Sequence, residues 1–256
     1  PGFRAAWNLI VGIPLMIPSF MYEGVHTQHH ARTRYGTAED PEYLPLALMK
    51  PWSLPLFILV AALAPVGLIL RFAVLTPLSL IIPPLRAKMI GELSALSINP
   101  AYRRRKPEGA FARMWAWQEA GASLFALALV GSVFVVGWKP LLVYMAVHSA
   151  MTVINQLRTL VAHLWENEGE PMTVTAQYLD SVNVPPPGSL PALWAPVGLR
   201  YHALHHLLPS VPYHNLAAAH RKLVATLDPQ SPYHRGNYRG MMPLVGKIAR
   251  STMVAR

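Results

Sequence analysis

Two histidine triplets with the same spacing stand far apart in the chain. His26, His29 and His30 lie in "EGVHTQHHART", and His202, His205 and His206 lie in "RYHALHHLLPSVPYHNL". Positions i, i+3 and i+4 share one face of a helix, so each H-x-x-H-H aims three imidazoles at one point. With 11 histidines in 256 residues, template counting gives about 0.02 such triplets per chain, so a pair points to chemistry rather than composition. Imidazole suits zinc, copper, iron and nickel. The chain has no cysteine, which removes thiolate metal sites, disulfides and cysteine nucleophiles. Six imidazoles exceed the ligand set of one tetrahedral zinc, so two metals shared by both triplets is the economical reading. The H-E-x-x-H signature of zinc proteases does not occur.

The elements that must position these rings are those of a membrane protein. The chain is 53% hydrophobic and only 13% charged, and its mean hydropathy is +0.29. Its net charge of +10 is explained by anionic lipid headgroups and the positive-inside rule. No nucleic-acid partner is expected, because no RNA-binding or helix-turn-helix signature accompanies the charge. Four regions are apolar enough to enter a bilayer: 5–22, 54–85, 120–138 and 140–157. As one straight helix 54–85 would run about 48 Å, too long for a hydrocarbon core of about 30 Å. It also carries Pro65, Pro77, Pro83, Pro84 and one charge, Arg71. A hairpin with its tip near Arg71 is therefore predicted. Gly137-Trp138-Lys139-Pro140 predicts a turn with an interfacial Trp between the last two segments.

If both hairpins go out and return, 23–53, 86–119 and 158–256 share one face. That face holds every acidic residue, and every basic one except Arg4, Arg71 and Lys139. A basic bias of this kind marks the cytoplasmic side, so both triplets are expected there. The fold class predicted is an all-α membrane protein, with transmembrane helical hairpins and a cytosolic helical cap carrying the histidines. The chain opens on Pro1, and residues 5–22 lack a charged leader and a cleavage site. It is expected to begin inside a membrane segment of a longer protein. Residues 1–227 read as one domain and 228–256, with "DPQSPYHRGNYRG", as an irregular cytosolic tail.

At these residues the chain resembles the membrane fatty acid desaturase family. "HTQHH" and "HALHHLLPSVPYHNL" resemble the family's second and last histidine boxes. The family's last box commonly reads H-x-x-H-H-L-F-P-x-x-P-x-x-N-L; here Leu208 stands for the Phe, while Pro209, Pro212, Asn215 and Leu216 match. "RTRYGTAEDPEYLPL" resembles bacterial members, and the resemblance spans about 20 to 220. It implies two iron ions at the cytosolic ends of membrane helices, with O2 as co-substrate for removing two hydrogens from an acyl chain. The substrate would be a membrane lipid or an acyl thioester. Electrons would come from a ferredoxin, rubredoxin or cytochrome b5 type donor. The family's first box, H-x(3–4)-H, is expected upstream of Pro1. Desaturases often carry N-x-x-x-H before the last box; "NQLRTLVAH" has Thr159 in the Asn place before His163, with Asn155 one turn further back. On this basis His163 joins the metal ligands, and Asn155 is a residue supporting them.

Further candidates follow from position. Glu23 lies one turn before His26 and, like Asp180, is a carboxylate able to hold a ligand's second N–H. His214 follows the "PSVPYHN" turn and reads as an orienting residue or a plain loop residue. His148, inside the apolar run "VYMAVHSAMT", reads as packing, an interhelical hydrogen bond or a ligand. His220 and His234 read as surface residues. The run "RRRK" at 103–106 could dock an acidic electron donor or contact anionic lipid. Residues 182–196 form a Pro-rich connector that could cover the site. Two other readings remain open. One is a hydroxylase or carotenoid oxygenase on the same scaffold; the other is a non-catalytic metal- or haem-binding membrane protein.

Overall fold

The computed structural model describes residues 2–187 and 194–254 and is helical, with isolated bridges but no strand among them. Residues 188–193, in the connector predicted to cover the site, lie outside the described residues. The chain divides into two compact units, Pro1–Thr27 with Val60–Thr152, and Gln28–Leu59 with Val153–Arg256.

The first unit contains helical stretches suited to lipid. Ser53–Ser79, which enters this unit at Val60, and Gly109–Val136 are long and apolar enough to cross a membrane. They expose Leu63, Val66, Leu124 and Leu127, a costly arrangement in water and a natural one against acyl chains. Inside, Met16, Phe20, Phe72, Trp115, Ala122 and Ala126 form a buried cluster. Phe20 stacks on Trp115 with ring centroids 4.6 Å apart. The turn predicted at Gly137 is present: Gly137 takes φ +78, open to glycine without cost, and Lys139–Leu160 follows.

The hairpin predicted at Arg71 does not form. The helix continues through it, widening into a π-helical turn over Leu70–Leu75. Arg71 turns inward instead of marking an exit to water. Its Nη2 donates to Glu119 at 2.9 Å, its Nη1 to Thr76 Oγ1 at 3.2 Å and its Nε to the Leu93 carbonyl at 2.8 Å. The chain turns back later, through the helix Pro83–Glu92, which has prolines in its first turn where no amide partner is lost. Buried Arg104 then donates to the carbonyls of Phe20, Ser94, Met21 and Glu23. That clamp holds Arg104 beside the Phe20–Glu23 segment. The first region predicted to cross, 5–22, is a short helix Gly2–Trp7, a π turn Asn8–Gly12 and a 3-10 turn Ser19–Met21.

The second unit is also built from helices. The helices Val174–Asp180, His202–Leu207 and Leu216–Thr226 pack around Tyr178, Tyr201, Leu204, Leu216 and Tyr233. Gly198 sits at φ +92, where a Cβ would overlap the Tyr213 carbonyl. The segment predicted to be an irregular tail includes the helix Met241–Met253. Its Leu244, Ile248 and Thr252 recur on one face and are buried. Leu244 packs with Val161, Leu164, Val182 and Val184. Covering an aliphatic side chain in this way contributes about 1.5–3 kcal/mol, which pins a segment whose composition alone reads as loop.

Candidate metal centre

His29 closes the short helix Val25–His29, which the chain enters through Gly24 at φ +76. The ring is buried, and its Nδ1 lies 3.0 and 2.9 Å from the two carboxylate oxygens of Asp40. Asp40 is itself fixed by the Gly36 and Glu42 amides at 2.9 and 2.8 Å. His163 comes from a different segment of the unit, three residues past the helix Lys139–Leu160. There the chain runs extended and pairs with Ser181, and Leu164 N–H donates to the Asp180 carbonyl at 2.7 Å. Next to it Trp165 takes φ +64, a conformation costing a non-glycine about 1–3 kcal/mol. Its indole N–H bond to the Leu160 carbonyl at 2.7 Å and its packing on Tyr43 hold it there.

The helix His202–Leu207 begins without a side-chain cap, leaving buried amides to be satisfied from elsewhere. Asn183 does this: its Oδ1 accepts from Leu204 N–H at 3.0 Å, and Val182 carbonyl accepts from Ala203 N–H at 3.1 Å. Asn183→Ala removes the acceptor and leaves the Leu204 amide buried. It is expected to cost about 1–3 kcal/mol, read as a lowered melting temperature of the purified protein.

The consequence is convergence. His202 Nε2 stands 3.0 Å from His163 Nε2 and 3.0 Å from His206 Nε2. One ligand nitrogen from each of His29, His163, His202 and His206 lies within 4.8 Å of the others. His30 adjoins this set, its ring centroid 4.2 Å from that of His206 and 4.5 Å from that of His205. His26 lies one turn before His30, on the helix Val25–His29, and stacks on Tyr22. Burial, then the neighbouring imidazoles, push His202 and His206 well below the usual histidine range. For His29 burial pulls the same way, but the Asp40 hydrogen bond and charge outweigh it and the net shift is upward. Asp180 is buried, which pushes its carboxyl up to about 6 against the hydrogen bonds from Tyr35, Glu166 N–H and Tyr43.

Such a donor set fits a divalent transition metal. Adjacent imidazole nitrogens about 2.1 Å from one ion stand roughly 3 Å apart at right angles, and the two Nε2 pairs above match that spacing. Each of these rings, when neutral, has one lone pair that it can turn toward a shared cation.

Several residues singled out from sequence are not drawn into this cluster. Glu23 is exposed, 3.5 Å from Arg4. Exposed Asn155 accepts from Arg158 of its own helix at 2.9 Å. His214 is exposed on a 3-10 turn. His220, read as a surface residue, is buried because Tyr233 Oη reaches its Nδ1 at 2.7 Å. His234 is half-buried against the Asp228 carbonyl. His148, in the first unit, is buried edge-on to Tyr144, with both ring nitrogens lacking a hydrogen-bond partner among the described residues. Of the two carboxylates named in advance, Asp180 is the one near a ring of the cluster, 3.8 Å from His163 Nδ1. Asp40, Tyr35 and Asn183 were missed, since no spacing rule ties them to the triplets.

Comparison with known proteins bears on the same residues. A sequence model of the family described as fatty acid desaturase matches residues 1–238. A ceramide hydroxylase of Caulobacter vibrioides is 50% identical over 252 residues, covering 98% of this chain and 72% of that protein. No solved structure matches. The match takes in both triplets, whose His29, His30, His202, His205 and His206 gather in one unit of the fold. Likeness across nearly the whole chain thus agrees with the histidine geometry, and the chain belongs to the fatty acid desaturase family, as an enzyme of the membrane desaturase and hydroxylase group.

Proposed function

We propose that this enzyme hydroxylates an unactivated carbon in an apolar chain of a ceramide-type lipid, using O2 and two iron ions held by histidine. The observation that carries the oxidative chemistry is the convergence of His29, His163, His202 and His206, two of whose Nε2 pairs stand 3.0 Å apart. The ceramide hydroxylase relative supports hydroxylation and the substrate class. Those four rings would hold one ion. His30 and His205, whose rings lie 4.5 Å apart by centroid, would serve the second. Bound iron supplies the activation of O2 that oxidation of a C–H bond requires.

The chain's own residues do the rest. Asp40 occupies His29 Nδ1, which leaves Nε2 as the nitrogen facing the cluster. Burial of His29, His163 and His205 keeps water from competing for the site. Exposed Arg103, Arg105 and Lys106 flank buried Arg104 and offer an acidic electron donor of ferredoxin, rubredoxin or cytochrome b5 type a basic landing surface. The charge distribution supports the cytoplasmic side of a bacterial inner membrane for the histidines.

The test is product mass. Purified protein given ceramide, a reduced donor and isotopically labelled O2 is expected to yield a lipid that has gained one labelled oxygen atom. A lipid that has lost two hydrogens and gained no oxygen would establish the second reading, desaturation, which the family match favours. Unchanged lipid with intact, iron-loaded protein would sink both. Asp40→Asn weakens the grip on His29. It is expected to lower iron affinity by about 10–100-fold, measured by competition with a chelator.

A further inference from the structure

We infer that Tyr35 is a positioning residue: its phenol, anchored on Asp180, fixes the tautomer and the direction of His163. The inference rests on the metal reading above and adds residues to which nothing in the triplets points. Tyr35 is buried, and its Oη lies 2.8 Å from His163 Nδ1, 2.7 Å from Asp180 Oδ2 and 3.2 Å from Ser181 Oγ. Asp180 is held on its other oxygen by Tyr43 Oη at 3.1 Å.

Counting protons settles the direction of these bonds. An ionised Asp180 only accepts, so the single hydrogen of Tyr35 goes to Oδ2. The Ser181 hydroxyl donates to the Gln177 carbonyl at 2.9 Å. Neither hydroxyl then has a hydrogen left for His163 Nδ1, although both lie within bonding distance, Ser181 Oγ at 3.3 Å. The ring nitrogen must therefore be the donor, with the phenol oxygen accepting. A neutral His163 with its hydrogen on Nδ1 carries a bare lone pair on Nε2. That nitrogen is the one 3.0 Å from His202 Nε2. His29 is treated alike by a different group, Asp40 at its Nδ1. Within the set of four converging rings, the two from outside the last triplet are thus each locked from behind, one by a carboxylate and one by a phenol backed by a carboxylate.

The experiment compares full-length wild type, Tyr35→Phe and Asp180→Asn in detergent, each loaded with iron and separately with cobalt. The readouts are the time a chelator needs to strip the iron, the ligand-field spectrum of the cobalt form, and the melting curve. Tyr35→Phe is expected to lose iron about 10–100-fold faster and to shift the cobalt spectrum while still melting cooperatively; Asp180→Asn shifts both in the same direction. A folded Tyr35→Phe with wild-type retention and spectrum overturns the inference and leaves the metal reading standing. Should Tyr35→Phe fail to fold, unchanged retention in Asp180→Asn overturns it equally. Wild type that binds neither metal overturns the metal reading, and this inference with it.

Discussion

Replacing His202 with alanine is expected to empty the proposed iron site and abolish product together. His202 is the ring at the middle of the cluster, with its Nε2 3.0 Å from both His163 Nε2 and His206 Nε2. Loss of a group that merely holds a ligating imidazole costs about 10–100-fold in metal affinity. Loss of the ligand itself exceeds that and leaves three imidazoles of the set without their common neighbour. Iron counted per chain, and lipid product by mass spectrometry, check the result. His214→Ala provides the contrast: its ring is exposed, and iron content is expected to stay within error of wild type. A His202→Ala protein that keeps both its iron and its product would remove the cluster from the chemistry.

The second large effect lies in the other unit. Arg71 and Glu119 are both buried, joined at 2.9 Å, and Arg86 adds a second contact to Glu119 at 2.7 Å. Arg71 also lies over the Phe72 ring, 4.0 Å from its centroid. Charges among apolar helices are tolerated when they are paired. Removing one partner strands the other, and breaking a buried pair costs about 3–5 kcal/mol. Glu119→Gln and Arg71→Met are each expected to lower the melting temperature sharply. The double replacement, which strands neither of the two, is expected to recover part of the loss. A Glu119→Gln protein that melts with wild type would show the pair contributes nothing.

What could be read in advance follows from range. The i, i+3, i+4 spacing of histidine is local, so the faces of the helices Val25–His29 and His202–Leu207 were legible in the sequence. The apolar stretches behind Ser53–Ser79 and Gly109–Val136 were legible too, because crossing a bilayer demands length and apolarity and little else. Arg71 misled because hydropathy treats a lone charge as an exit to water. It cannot see that Glu119 arrives from another helix to neutralise it. The same blindness hid His220, whose partner Tyr233 belongs to a later turn, and made the helix Met241–Met253 look like loop. Asp40, Tyr35 and Asn183 have no periodic relation to the rings they support. Asp40 reaches His29 across a tight glycine-containing loop, and Tyr35 and Asn183 act on segments far along the chain. Such residues are chosen by tertiary contact, and the sequence shows them as ordinary polar positions.

The most direct measurement is X-ray absorption at the iron edge on the purified full-length protein, with iron counted per chain. Two irons per chain with first shells of nitrogen or oxygen and the outer-shell pattern of imidazole are expected, and the pattern should diminish in His202→Ala. Iron held in a porphyrin, or a folded wild-type protein with no bound metal and no imidazole signature, would contradict it.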